Sequence, residues 1–130
     1  MQNSNIKMQS YNSKIKIDIK TRAYRYALRI TQFVDNLQKG MSTEIIARQL
    51  LKSATSIGAN IIEAQAASSR RDFTNFLNYA LKSANETRFW LGLLRDTKKS
   101  PAEVVGSLLE ESKELANILA ASILTLKGKR

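Results

Sequence analysis

Between Phe73 and Leu94 the apolar positions fall alternately four and three residues apart. Phe73, Leu77, Ala80, Ala84, Thr87, Leu91 and Leu94 form a heptad seam, the spacing that lines up side chains along one side of a long helix. Before it, Leu50, Ala54, Ile57, Ile61 and Ala64 mark a similar stripe. With the serine-rich turn around Ser68 between them, the two helices are expected to fold back on each other as an antiparallel hairpin. A third seam runs from Ala23 through Ala27, Ile30, Val34 and Leu37 to a stop at Gly40, giving a first helix over about residues 20–39. A fourth, from Val105 through Leu108, Ser112, Leu115, Leu119 and Ser122 to Leu126, follows Ser100, Pro101 and Glu103, which read as N-cap, first helical residue and first-turn acid. Ser42 is the expected N-cap of helix two, and Ser69 with Asp72 fits a capping box for helix three, with Asp in place of the usual Glu or Gln; that helix ends near Asp96. Gly58 lies inside helix two at a cost of about 1 kcal/mol relative to Ala, which predicts close approach of another helix there. The predicted fold is all-α, an antiparallel up-down-up-down four-helix bundle about 30 to 40 Å long.

The N-terminal segment departs from this pattern. Residues 1–13 are polar and aperiodic, and Lys14 to Lys20 alternate strictly with Ile15, Ile17 and Ile19, a strand period with no second strand to pair with. The expectation is a mobile basic arm over residues 1–19, extended or strained where it enters helix one, then a bundle domain over 20–127 and a basic tail over 128–130.

Composition narrows the chemistry. The 130 residues include no Cys and no His, so thiolate chemistry, disulfides, the commonest metal ligand and the commonest general base are all missing. No metal or other cofactor is expected, and no enzyme. No apolar run approaches the roughly 18 residues of a membrane span, so the chain is expected in the cytoplasm and away from the bilayer. Lys and Arg outnumber Asp and Glu by 21 to 11, a net charge of +10, which favours a polyanionic partner such as RNA or DNA or serves solubility alone.

Folding the bundle sharpens the charge pattern. In an up-down-up-down arrangement the start of helix one, the turn between helices two and three, and the end of helix four meet at one pole. Lys14 and Lys16 would arrive there from the N-terminal arm, and Lys20 and Arg22 from the start of helix one. Ser69, Arg70 and Arg71 would come from the turn, and Lys127, Lys129 and Arg130 from the C-terminus. Arg70 and Arg71 are the most telling, because cations in a first helical turn oppose the helix dipole. With the free N–H groups beside Ser68 and Ser69 they form a candidate phosphate site; a solvated turn is the alternative. The opposite pole carries Lys39, Lys98 and Lys99 with Asp96 and Glu103 close by.

The segment Ser56-Ile57-Gly58-Ala59-Asn60-Ile61-Ile62-Glu63-Ala64, followed by Phe73, Phe76-Leu77, Ala80, Ser83 and Glu86, resembles the bacterial four-helix bundle proteins first noticed in intervening sequences of 23S ribosomal RNA genes. The resemblance covers about residues 20–126. It departs from the family at Ala64, where a glycine turn is usual, and the basic N-terminal arm is not part of the motif. The resemblance implies a cytoplasmic, non-catalytic protein that forms a ring-shaped homo-oligomer, a pentamer. Accessory proteins of diversity-generating reverse transcriptases share the bundle and a basic surface, so nucleic acid is the partner that analogy suggests.

Glu63 and Glu86 invite a carboxylate-pair reading, but level positions of the hairpin place them about 20 Å apart, too far to share a metal or a proton in one chain. Asn60, Glu63, Ser83 and Glu86 are therefore expected to satisfy local hydrogen bonds or ion pairs that fix register, with Glu63 pairing Arg22 or Lys20. Tyr24, Tyr26, Phe33, Phe73, Phe76, Tyr79, Phe89 and Trp90 fall at helical spacings, favouring core or subunit interface over base stacking. Phe89 and Trp90 are adjacent and must face different directions. One is expected in the core and the other as an interface anchor. The function these residues predict is a non-catalytic oligomeric bundle binding RNA or DNA backbone through its basic pole. A scaffold for a protein partner, with charge serving solubility, is the alternative.

Overall fold

A computed structural model describes the backbone of residues 2–128 and the side chains of residues 19–128. Four helices account for nearly all of it: α1 (Gln2–Asp35), α2 (Met41–Gln65), α3 (Arg70–Asp96) and α4 (Ala102–Gly128). Each packs on two neighbours in the ring order α1, α2, α3, α4.

The direction of the pairing can be read from cross-helix bonds. Going up α1, Arg22 meets Glu111, Tyr26 meets the Leu108 carbonyl and Arg29 meets Ser107, so α4 descends as α1 rises. Short turns then make the other neighbours antiparallel, and the bundle is the one the seams predict.

Those seams are the core. Leu77, Ala80, Ala84, Thr87, Leu91 and Leu94 are buried on α3, and Leu50, Ala54, Ile57, Ile61 and Ala64 on α2. Burying each large aliphatic side chain contributes about 1.5 to 3 kcal/mol. On α1 the buried residues are Ile19, Ala23, Tyr26 and Ile30, so Tyr26 takes the seam place expected for Ala27, which is only half-buried. Its ring fills more volume, and its hydroxyl is satisfied by the Leu108 carbonyl at 2.8 Å. On α4 the buried line runs through Leu115 and Leu119 to Ile123, with Ser122 half-buried. A straight helix of 3.6 residues per turn drifts off a strict heptad, which moves the seam by one residue.

Several helix ends differ from expectation. α1 starts at Gln2 rather than near residue 20 and stops at Asp35 rather than 39. Residues 14–20 thus belong to a helix: with no strand to pair with, the alternating pattern yields to continuation of α1. The side chains of residues 1–18 of the expected arm lie outside the described residues. α2 begins at Met41, with Gly40 as N-cap and no side-chain cap. Ser42 therefore falls inside the first turn instead of capping it, and the Gly40 carbonyl takes the first helical bond, from the Glu44 N–H at 2.9 Å. α4 begins at Ala102, and the Pro101 carbonyl accepts from the Val105 N–H, which puts Pro101 at the capping position and Ser100 one residue outside it. The Ser69 cap is as predicted: its side chain accepts the Asp72 N–H at 3.0 Å.

Gly58 faces Ala23 of α1, and a Cβ built on it would lie 3.6 Å from the Ala23 Cβ. That is the close helix approach expected, with room left for one methyl group.

Candidate nucleic-acid interface

The predicted pole forms around an apolar cleft. Ile19 of α1, Ala64 of α2, Phe73 of α3 and Leu126 of α4 line it together, which places the middle of α1 near Ile19, the α2–α3 turn and the end of α4 side by side. Arg70 makes the tie explicit: its Nη2 donates to the Leu126 carbonyl at 3.0 Å. That carbonyl is one of the last four of α4, which lack helical partners, and a cation is favoured at this negative end of the helix dipole. The contact explains why a cation tolerates the first turn of α3: its side chain reaches a neighbouring C-terminus.

Lys20, Arg71 and Lys127 are exposed at the same pole. Ser69 spends its oxygen on the Asp72 N–H. The side chains of Lys14 and Lys16, and the residues Lys129 and Arg130, lie outside the described residues.

Arg22 is placed differently from the rest. Its fork holds Glu111 of α4, with Nε donating to Oε2 at 3.0 Å and Nη2 to Oε1 at 2.7 Å, and both side chains are largely shielded. A guanidinium engaged by a carboxylate in this two-pronged geometry ties α1 to α4 and is poorly placed to take a phosphate. The pairing expected between Glu63 and Arg22 or Lys20 is absent: Glu63 is exposed and forms no salt bridge among the described residues. Glu63 faces outward on α2, whereas Arg22 turns toward α4.

The other motif residues act locally. The Asn60 amide donates to the Ser56 carbonyl at 2.9 Å, the Ser83 carbonyl accepts from Thr87, and Glu86 accepts from Trp90 Nε1 at 3.0 Å. Thr87 also reaches Ser53 of α2 at 2.9 Å, a hydroxyl pair buried between α2 and α3. Because Ser53 lies ten residues before Glu63 on α2, Glu86 beside Thr87 is about 15 Å of helix from it. Among the described residues no three His, Cys, Asp or Glu side chains gather as a metal site. Trp90 packs partly against the core while Phe89 points outward, 59% exposed, their rings edge to face at 4.9 Å. Phe89 is therefore the outward member of the pair.

Two titrating groups stand out. Burial pushes the Tyr26 phenol above its ordinary 10.0. On the surface, the hydrogen bond from Arg95 holds the Asp96 carboxyl below its usual range. Arg95 belongs to a second cluster of cations with Arg29, Lys98 and Lys99 around the α3–α4 turn. Lys98 and Lys99 are adjacent in the sequence, but nothing in it brings Arg29 to them.

These features define an all-α bundle with an excess of surface cations, and among the described residues no helix is long and apolar enough to cross a membrane. The model of the 23S rRNA-intervening sequence protein family matches residues 16–121, and the chain belongs to that family. A crystal structure of a protein with unknown function from the S23 ribosomal protein family of Bacteroides thetaiotaomicron VPI-5482 superposes with a TM-score of 0.76. The two are 38% identical over 84% of this chain and 97% of that one. No curated protein matches the chain.

Proposed function

We propose that this chain is a non-catalytic, cytoplasmic bundle that self-associates and binds the RNA or DNA backbone through its basic pole. The observation that carries the reading is the Arg70–Leu126 bond, which joins the α2–α3 turn to the end of α4 at the end of the bundle where Lys20, Arg71 and Lys127 are exposed. Phosphates met by such exposed cations are bound with little base preference, because backbone contacts carry no sequence information directly. A ring of subunits, a pentamer as in the family resemblance, would repeat the pole around one axis and raise affinity through several simultaneous contacts.

The test is fluorescence anisotropy of a labelled single strand and duplex across ionic strength. Each phosphate neutralised should contribute about −0.9 to the slope of log affinity against log salt on duplex, and about −0.7 on single strands. Replacing Lys20, Arg71 and Lys127 by Gln together should flatten that slope and weaken binding to any sequence alike. Affinity absent at low salt, or indifferent to salt, overturns the reading.

A second reading, a protein-interaction scaffold, draws on exposed Phe89. Pull-down with and without nuclease separates the two, because a partner that is lost on nuclease treatment was held through nucleic acid.

A further inference from the structure

At the pole opposite the Arg70 contact, a groove of about 1200 Å³ opens between the end of α1, the α3–α4 turn and the start of α4. Arg29, Arg95, Lys98 and Lys99 line it, and no Asp or Glu among the described residues does. The nearest carboxylate bonded to this set is Asp96, on Arg95 at 2.8 Å. Arg29 is aimed by a bond from its Nη2 to Ser107 Oγ at 2.7 Å. With Arg95 paired to Asp96, Arg29, Lys98 and Lys99 are the cations left for a bound anion to meet.

The turn holds two of them in fixed positions. The Lys99 N–H reaches the Leu94 carbonyl and the Lys98 N–H the Arg95 carbonyl, both near 3 Å, a Schellman ending of α3. It forces Lys98 into the left-handed region at φ 57, a place that favours Gly or Asn and that costs a lysine about 1 kcal/mol. Two kinds of side chain stand out in the rest of the lining. Phe33, Leu37, Val104 and Leu108 present apolar surface, and Gln32, Asn36 and Gln38 present amides.

We propose that this groove binds a nucleoside 5′-phosphate, with the base against Phe33 and Leu37, its edge read by the amides, and the phosphate among Arg29, Lys98 and Lys99. An inorganic anion would leave the apolar wall exposed to water, whereas a nucleoside phosphate covers it and meets the cations with one molecule. The same chemistry is offered by a free nucleotide and by the phosphorylated end of an RNA or DNA strand. The site is separate from the basic pole and does not depend on it.

The experiment is calorimetric titration of the full chain at low ionic strength with four probes: AMP, inorganic phosphate, a 5′-phosphorylated tetranucleotide, and the same tetranucleotide without the phosphate. Tight AMP binding assigns the groove to free nucleotides, and binding of the phosphorylated tetranucleotide alone assigns it to strand ends; either supports the proposal. The variant K98N/K99Q should weaken binding about tenfold or more, the loss expected for charge-assisted contacts. Because Asn accepts the left-handed backbone, its melting temperature should be unchanged or higher. Phe33→Leu should weaken AMP but not inorganic phosphate. Replacing Arg71 and Lys127 by Gln should leave AMP binding as it is, so failure of the basic pole would show only with long strands. The proposal is overturned if neither AMP nor the phosphorylated tetranucleotide binds, or if K98N/K99Q binds AMP as the parent does.

Discussion

Among the described residues the buried side-chain polar atoms are paired, and the pairing sets where helices meet. Tyr26 is the clearest case, with its ring in the core and its hydroxyl on the Leu108 carbonyl of α4. Because desolvation raises its pKa above the ordinary 10.0, the folded chain keeps the phenol proton where the unfolded chain loses it. The folded state then binds more protons, so this contribution is fully present below about pH 10 and falls away as the pH rises further. Tyr26→Phe should cost about 1 kcal/mol at neutral pH through the lost hydrogen bond, with a shallower alkaline fall in stability than the parent. Urea unfolding of both proteins on either side of pH 10 checks this, and parallel falls would refute it. Thr87 and Ser53 obey the same rule between α2 and α3: the single Thr87 hydroxyl proton is shared between Ser53 Oγ and the Ser83 carbonyl, and the Ser53 hydroxyl donates to the Leu50 carbonyl.

At the scale of the element, α1 and α2 pack closely at Ala23 and Gly58. A Cβ on Gly58 would be in ordinary van der Waals contact, with the nearest atoms 3.6 to 3.8 Å away. Gly58→Ala should therefore stabilise the protein by about 0.5 to 1 kcal/mol through helix propensity, read as a higher thermal midpoint. A lower midpoint would mean that α1 cannot accept the extra methyl. The helix ends show how much of such detail local sequence carries. Ser69 caps α3 as its pattern predicts, because the Ser oxygen and the Asp72 N–H are three residues apart and need nothing else. Ser42 and Ser100 do not cap. The backbone turns at Gly40 and Pro101 instead, one or two residues away, where the packing of the whole helix sets the boundary.

The whole molecule carries exposed cations at both ends of the bundle and leaves apolar side chains exposed on its flanks. Phe89 is the most telling of these, an exposed ring braced edge to face against Trp90. If it anchors contacts between copies, Phe89→Glu should shift the light-scattering mass from an assembly to a single chain while the helical circular dichroism stays. An unchanged mass would move the contact elsewhere, and a single-chain mass for the parent would remove it.

The sequence alone determined the number and order of the helices and most of the stripes that face the core, because the heptad spacing is a property of neighbours three and four residues apart. For the same reason it carried the Ser69 cap, the Gly58 approach and the family motif. Only the tertiary structure decided which charges meet. Arg22 is engaged by Glu111, 89 residues away in the chain, Arg70 by the Leu126 carbonyl, and Arg29 joins Lys98 and Lys99 around one groove. Such encounters depend on the rotation and offset of whole helices. Those are set by the summed packing of many side chains, so no local pattern of residues encodes them.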